Sequence, residues 1–236
     1  MEEDLRGATT DPFGLLRVVV PHAFGQKQMI GPLLDFLKRY PKVSIEWLLH
    51  QHHPDFIANG VDCEIRLGIV EDPGLIALHL AEVPRIVVAS PSLCGKDPFK
   101  ISLDKLQSMP WIAISIFYKD EVVLTRDGEA DTHRFPIKPR LCTDSVYATR
   151  QAALAGFGAT LISAWIVADD IEKGRLIQLV PQWQGISLPV YLVYPYARFY
   201  PAKLRRFIEL MRKAMPTLVG VRSLSKRTTE TTIADG

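Results

Sequence analysis

Apolar residues recur along the chain in two alternating periods, which predicts an α/β fold. Residues 15–20 form a β-branched run closed by Pro21, which is typical of a buried strand. Apolar residues within 29–40 recur at helical spacing, and Pro41 ends that helix. The β-α-β-α-β order of this part predicts parallel strands, because crossover connections are right-handed. The other elements predicted here are strands over 43–49 and 63–67 and a short helix over 55–59.

A second series of elements follows Pro84. Asp144 or Ser145 caps an Ala-rich helix that ends at Gly156, whereas residues 115–135 show no clear period. The chain then returns to elements that continue the first series, so the second α/β unit is inserted within the first. The remaining predicted elements are strands over 85–89, 111–114, 138–142, 159–162, 176–180 and 190–194, and helices over 103–106, 164–172 and 202–215.

This organisation predicts two Rossmann-like subdomains joined by two crossover strands. Subdomain I comprises residues 14–86 and 188–216, and subdomain II comprises residues 87–187. The polar residues 1–13 are expected to form a disordered leader, and residues 217–236 a flexible tail. Open α/β sheets bind ligands where strand carboxyl ends and helix amino termini converge, so a cleft between the subdomains is the expected ligand position.

Composition and charge narrow the functional classes. The 236 residues carry 28 Lys+Arg and 26 Asp+Glu, and a formal net charge of +2 is too small to indicate broad affinity for nucleic acid or membranes. No apolar run approaches the roughly 20 residues that span a bilayer. The acidic start, residues 1–4, differs from a secretory signal, so a cytoplasmic location is expected.

The three cysteines do not form a disulfide or zinc framework. Cys63, Cys94 and Cys142 are odd in number, irregularly spaced and without a C-x-x-C pair. Cys63 and Cys142 lie in strand-like apolar runs, which predicts buried, inert thiols.

Catalytic and metal motifs are weak. The sequence contains no G-x-S-x-G elbow and no Walker A loop, and the glycines of 155–158 follow a predicted helix rather than a strand. In a strand, His50 and His52 would share a face and could ligate a metal. Only Asp55 is nearby to complete such a set, so solvated loop histidines are the better interpretation. We therefore expect no enzyme, no cofactor and no metal.

Five ordered stretches together resemble the effector-binding domain of LysR-type transcriptional regulators over about residues 14–215. Each stretch alone is weak, whereas the ordered set is specific. The stretches are Leu16-Arg17-Val18 with Pro32-Leu33-Leu34 and Phe36-Leu37-Lys38-Arg39-Tyr40-Pro41; Gly60-Val61-Asp62-Cys63-Glu64-Ile65-Arg66-Leu67-Gly68; Val88-Ala89-Ser90-Pro91; Gln151-Ala152-Ala153-Leu154-Ala155-Gly156-Phe157-Gly158; and Gly174-Arg175-Leu176 with Val190-Tyr191, Tyr194-Pro195 and Lys203-Leu204-Arg205-Arg206-Phe207.

The resemblance implies the type 2 fold of periplasmic binding proteins, with a small effector in the cleft that alters subunit arrangement and so transcription. It also implies antiparallel dimers, in which the 29–40 helix of one copy lies near the second lobe of its partner, and tetramers for a full-length regulator. In the family, DNA is bound by an amino-terminal winged helix-turn-helix domain. Only about a dozen residues precede the first strand, so such a domain is expected to be missing. The alternatives are a stand-alone binding protein and a transport-type solute-binding protein of the same fold.

Arg66 is the first candidate ligand contact. It lies near the carboxyl end of a predicted strand, where a guanidinium can hold a carboxylate with two hydrogen bonds. A small carboxylate or aromatic acid is therefore the hypothesis for the effector. The alternative is a structural salt bridge from Arg66 to Glu64 or Asp62 that braces the strand.

Five further candidates come from the resemblance together with their positions. His22 and Phe24 lie in the predicted loop after the first strand, before a helix amino terminus that favours anions. His22 can instead face solvent, and Phe24 can instead belong to the core. Gln51 borders the expected cleft, and Thr143 and Ser145 would donate from the opposite wall. Helix capping alone also explains Ser145.

Overall fold

The chain folds into two compact units and passes from one unit to the other at two points. In the computed structural model, unit 1 comprises Met1–Glu82 and Pro189–Gly236, and unit 2 comprises Val83–Leu188. Two long strands, β4 (Leu75–Ala89) and β11 (Trp183–Pro195), each have one part in each unit. The structure describes residues 11–50, 53–95, 101–126 and 131–224.

Unit 1 contains a parallel sheet, as the crossover order predicts. Strand β1 (Gly14–Val20) lies between β2 (Val43–Leu49) and β3 (Cys63–Leu67) and runs parallel to both, and β11 adds to β3 in the antiparallel sense. The other elements of this unit are α1 (His22–Lys27), α2 (Ile30–Arg39), α7 (Ala202–Ala214) and a 3-10 turn over Met215–Thr217.

Both faces of β1 are buried over Val18–Val20, which explains the apolar run at the end of this strand. Leu16, Val18 and Val20 are buried on one face, and Val19 is buried on the other with the apolar residues around Val61. Helices α2 and α7 contact each other through Phe36 and Phe207, whose rings meet edge to face at 5.6 Å.

Unit 2 is built from short strands and helices around its own core. The paired segments are β4 with β9 (Thr160–Ser163) and β10 (Ile177–Gln178), β6 (Glu121–Arg126) with β7 (Thr132–Pro136) and β11, and β5 (Ile112–Ile114) with β8 (Leu141–Thr143). Trp111 and Phe135, 5.6 Å apart between ring centroids, lie in this core. The elements are α3 (Pro91–Cys94), α4 (Leu103–Ser108), β5 (Ile112–Ile114), β6 (Glu121–Arg126), β7 (Thr132–Pro136), β8 (Leu141–Thr143), α5 (Val146–Leu154), β9 (Thr160–Ser163), α6 (Ala164–Glu172) and β10 (Ile177–Gln178).

The two glycines after α5 have separate structural reasons. Gly156 adopts φ +74°, the left-handed conformation that ends a helix, as its position predicts. A Cβ on Gly158 would lie 2.8 Å from the carbonyl oxygen of Pro110, so the close approach of two backbone segments requires glycine there. These glycines therefore shape unit 2 and need no ligand to explain them.

Several sequence-based expectations are wrong. A turn over 56–60 stands where a helix over 55–59 was expected, because the Asp55 carboxylate accepts the N–H groups of Ile57 and Ala58. No element was predicted over 115–135, where strand β6 and most of strand β7 lie. Cys142 is exposed, whereas Cys63 is buried as expected.

Part of the predicted flexible tail is held against unit 1. Arg222 exchanges two backbone hydrogen bonds with Glu82, of 3.0 and 2.7 Å. The Gln28 side-chain amide donates to the carbonyl oxygen of Val219 at 2.7 Å. The rest of that predicted tail, residues 225–236, lies outside the described residues.

Candidate functional site

Strand β3 in unit 1 carries a buried ion pair, in which Arg66 lies near the carboxyl end of the strand. Glu64 and Arg66 are two residues apart on the strand, so their side chains share one face of the sheet. Arg66 is 6% exposed, and its Nε and Nη2 donate to Glu64 Oε2 at 3.2 and 2.6 Å. A buried carboxylate requires such donors, because leaving it uncompensated in the interior is costly.

Glu64 also contacts a histidine, which extends the pair to three charged or polar groups. His53 Nδ1 lies 2.7 Å from Glu64 Oε1. A carboxylate accepts hydrogen bonds, so an N–H at this ring nitrogen can donate to Glu64. The His53 side chain is 57% exposed, and it therefore links the buried pair to solvent.

The ion-pair partner of Arg66 is Glu64 and not Asp62. The Asp62 carboxylate instead accepts the backbone N–H of Arg17 at 2.7 Å. The expected salt bridge that braces the strand is therefore the one between Arg66 and Glu64. Both hydrogen bonds that the described residues give Arg66 go to one oxygen of Glu64, through Nε and Nη2. A guanidinium has further N–H groups for a second acceptor.

Aromatic side chains lie beside the pair. Tyr191 of β11 is directly opposite Arg66 in the antiparallel register, which places both side chains on the same face. The ring of His79 lies 4.8 Å from that of Tyr191, and His79 Nε2 lies 2.9 Å from Glu82 Oε1. Sequence spacing does not indicate His79 or Tyr191 as neighbours of Arg66, because they lie on β4 and β11, and His53 lies in the loop before β3.

His22 and Phe24 lie on helix α1, so the predicted loop is wrong. This helix begins immediately after Pro21, and a Cβ on Gly25 would lie 2.5 Å from a Leu49 methyl group. Phe24 is buried, which favours the core alternative for it. His22 is exposed, and its Nδ1 lies 3.1 Å from Gln26 Nε2.

Thr143 and Ser145 lie in unit 2, at the end of β8 and the start of α5. Ser145 is the N-cap as predicted, and its hydroxyl accepts the N–H of Ala148 at 3.2 Å. The Thr143 hydroxyl accepts the N–H of Ser145 at 3.1 Å. Both hydroxyls therefore have local partners that explain them without a ligand.

The histidine segment after β2 is only partly described. Gln51 and His52 lie outside the described residues. Within the described ranges, no group of three or more His, Cys, Asp or Glu side chains is arranged to hold a metal ion.

Unit 2 contains a separate buried polar centre at Tyr118. Its hydroxyl donates to the carbonyl oxygen of Ile112 at 2.9 Å, accepts the N–H of Leu161 at 2.9 Å, and lies 3.0 Å from Thr160 Oγ1. Burial raises the pKa of Tyr118 to about 12, although the hydrogen bonds from Thr160 and Leu161 lower it in part. The phenol is therefore a neutral structural anchor.

A wide surface depression of about 980 Å³ lies in unit 2, away from the predicted site residues. It is open to solvent and mixed in charge, with Glu121 and Arg134 paired at 3.1 Å on its wall. Its lining consists of Gln107, Met109, Trp111, Asp120, Glu121, Arg134, Phe135, Pro136, Ile137 and Lys138.

Comparison with known proteins gives a consistent result. The family model described as the LysR substrate binding domain matches residues 9–216. The HTH-type transcriptional regulator PtxR of Pseudomonas aeruginosa is 27% identical over 210 residues, which cover 89% of this chain and 67% of the relative. The HTH-type transcriptional regulator DmlR of Escherichia coli is 28% identical over 213 residues, covering 90% and 69%.

Solved structures show the same fold. The full-length Vibrio cholerae virulence activator AphB, a member of the LTTR protein family, matches with a TM-score of 0.73 at 24% identity, over 89% of this chain and 70% of that one. CrgA of Neisseria meningitidis, a LysR-type transcriptional regulator, matches with a TM-score of 0.71 at 25% identity, over 86% and 69%. The fold is therefore that of LysR-type regulatory domains, the type 2 fold of periplasmic binding proteins.

These relatives limit the functional classes. The chain spans about two thirds of the length of the curated relatives. They are named transcriptional regulators, which are not enzymes, and they give no support to the transport alternative. In the part of the chain that the structure describes, no helix is long and apolar enough to cross a membrane.

Proposed function

The chain belongs to the LysR substrate-binding domain family, and on that premise we propose that it senses a small organic carboxylate for a transcriptional regulator. The observation that carries this proposal is the buried Glu64–Arg66 pair on β3, in which Arg66 lies near the carboxyl end of the strand. Glu64 orients the guanidinium, and the N–H groups that Glu64 does not engage can bind one carboxylate. His22, Phe24, Gln51, Thr143 and Ser145 remain proposed contacts with less support.

Effector binding would change the fraction of regulator molecules in each of two conformational states. A ligand shifts a conformational equilibrium only by its differential affinity for the two states. The resulting change in subunit arrangement would alter transcription, and DNA would be contacted through a helix-turn-helix domain such as the curated relatives are named for. The same role favours a cytoplasmic location.

Self-association is the second part of the proposal. The chain would form antiparallel dimers, with α2 of one copy near unit 2 of its partner, and tetramers in a full-length regulator. Leu34 on α2 is 49% exposed, which is consistent with a face available to a second copy. Sedimentation of the Leu34→Glu variant should show more monomer than the parent chain, and an unchanged distribution would count against this face.

A thermal-shift titration tests the effector class. The probes are benzoate and succinate, each compared with its amide, which keeps the shape and lacks the charge. At 100 times its dissociation constant a ligand adds about 2.7 kcal/mol to stability, which corresponds to roughly 5–10 °C for a chain of this size. A response to a carboxylate and none to its amide supports the proposal.

Arg66→Lys is the informative variant, because it keeps the positive charge that Glu64 needs and removes the planar guanidinium, which can hold a carboxylate with two hydrogen bonds. It should weaken carboxylate binding about tenfold, or 1.4 kcal/mol. Arg17→Lys is the matched control, since Arg17 pairs with Glu46 on the same sheet and is partly exposed. Equal carboxylate affinity in the parent and Arg66→Lys would remove Arg66 from the site.

A further inference from the structure

Arg85 in the unit 2 part of β4 is a buried cation without a counter-charge. It is 8% exposed, yet among the described residues no carboxylate lies within 4 Å of it. The other buried arginine, Arg66, pairs with Glu64, so the absence of an acid beside Arg85 is exceptional. Burial lowers the pKa of Arg85, although Tyr118 raises it in part. An uncompensated interior charge is costly and calls for an anion.

The contacts of Arg85 leave donors for such an anion. Its Nε donates to the carbonyl oxygen of Ile186 at 2.8 Å. The guanidinium carbon lies 5.9 Å from the centroid of the Phe117 ring. A carbonyl oxygen and a ring face orient the group and carry no full negative charge, so the Nη N–H groups remain for an acceptor.

Strand register brings a hydroxyl to the same place. Arg85 is directly opposite Ser163 in the antiparallel pair of β4 and β9, which puts both side chains on one face with Cβ atoms about 4.5–5.5 Å apart. Ser163 is 6% exposed and is the N-cap of α6. Its hydroxyl makes no capping hydrogen bond, unlike those of Ser145 and Ser102. Neither does it bond to any other described residue.

The start of α6 adds a third favourable element. Helix amino termini carry N–H groups without intrahelical partners and a positive dipole end. The first turn of α6 contains no acidic residue that would neutralise it. Over the described ranges every fully buried side-chain polar atom has a partner, so the Ser163 hydroxyl and the remaining Arg85 N–H groups keep access to solvent.

We propose that Arg85, Ser163 and the first turn of α6 form an oxyanion site in unit 2, which binds a carboxylate, sulfate or phosphate group. The guanidinium supplies two parallel N–H donors, the hydroxyl supplies a third donor, and the helix end supplies favourable potential. The site uses other residues than the effector contact proposed at Arg66, which lies in unit 1, so separate variants test the two proposals.

The test is an anion titration of the whole chain at constant ionic strength. Sodium sulfate, phosphate and acetate are compared with chloride, and binding is followed by calorimetry and thermal shift. Saturable binding of at least one oxyanion is expected, and its identity separates carboxylate from tetrahedral ligands. Absence of saturable binding for all three would overturn the proposal.

Three variants locate the binding. Arg85→Lys keeps the charge but loses the fork and should weaken the anion about tenfold, and Ser163→Ala should weaken it several-fold. Ser163→Asp places a carboxylate beside Arg85 at a position where Asp is a favoured cap, so it should abolish anion binding while preserving the melting temperature. Unchanged affinity in Arg85→Lys and Ser163→Asp would contradict the site.

Two controls separate this proposal from its alternatives. Arg140→Gln removes a charge from an exposed arginine that also lies over an aromatic ring, and it should leave anion binding unchanged. An equal loss in Arg140→Gln would indicate general charge screening instead. Arg66→Lys should retain the unit 2 response even if it loses effector binding, so failure of one proposal is distinguishable from failure of the other.

Discussion

The two units hold their buried charges in different ways. In unit 1, Glu64 and Arg66 lie on a strand near its carboxyl end, and the exposed His53 connects them to solvent. In unit 2, Asp170 is fully buried between helices and receives four N–H donors from Arg150 and Arg175. The saturated carboxylate has no capacity for a ligand, whereas the strand-end pair does. Burial of charge alone therefore does not identify a binding site.

The largest expected effect is structural and lies in unit 2. Asp170→Ala leaves two arginines without their shared acceptor, so we expect a loss of about 3–5 kcal/mol in the free energy of unfolding. Urea denaturation measures this loss. Asp35→Asn is the control. The ion pair of Asp35 with Lys38 is exposed, so this variant should have the same free energy of unfolding as the parent chain.

Lower pH should reduce the loss of stability that Asp170→Ala causes. Burial by itself raises the pKa of Asp170, but the hydrogen bonds and charges of Arg150 and Arg175 outweigh it and lower the pKa below its ordinary 3.8. A carboxyl with a lowered pKa in the folded state contributes stability above its unfolded value and loses it as pH falls through the folded value. The difference between parent and Asp170→Ala should thus be constant from pH 7 to 5 and shrink below about 3.8.

A smaller loss is expected at the corresponding group of unit 1. Glu64→Gln keeps an acceptor for Arg66 and removes the charge, which should cost about 1.5–3 kcal/mol. It should also weaken carboxylate binding several-fold, because the guanidinium is less firmly held. Calorimetry with benzoate or succinate checks this. If Glu64→Gln lowers stability but leaves carboxylate binding unchanged, the Glu64–Arg66 pair has only a structural role, like the Asp170 cluster.

The smallest expected effect concerns the neutral polar centre of unit 2. Tyr118→Phe removes a donor to Ile112 and an acceptor for Leu161, and we expect a loss of about 1 kcal/mol. Urea denaturation measures it, and effector affinity should not change. A loss as large as that of Asp170→Ala would show that hydrogen bonding and ionic pairing contribute equally to this unit.

Elements with a sustained period were predictable from local sequence. Strands β2 and β3 and helix α6 begin and end at the predicted residues, because their apolar spacing and flanking turn residues are complete. The prediction failed at β4, whose first part precedes Pro84. Proline donates no ladder hydrogen bond, so the sequence indicated a boundary where the strand continues.

The candidate site was only partly predictable. Arg66 was recognised from its place on a strand, whereas its partner was left open between Glu64 and Asp62. The exposure of Cys142 and the helical start at His22 were also missed, because neither depends on the period of the neighbouring residues.

The sequence by itself determined the alternating elements, the parallel order of the first three strands and the resemblance to a known family. The elements depend on residues close together along the chain, and the resemblance depends on the order of five such stretches. Only the tertiary structure decided that Glu64 joins His53 to Arg66, and that Ser163 lies beside Arg85. The Arg85–Ser163 pairing depends on the register of two strands that are far apart in the sequence, and the Glu64 contacts depend on which side chains lose water when the chain folds.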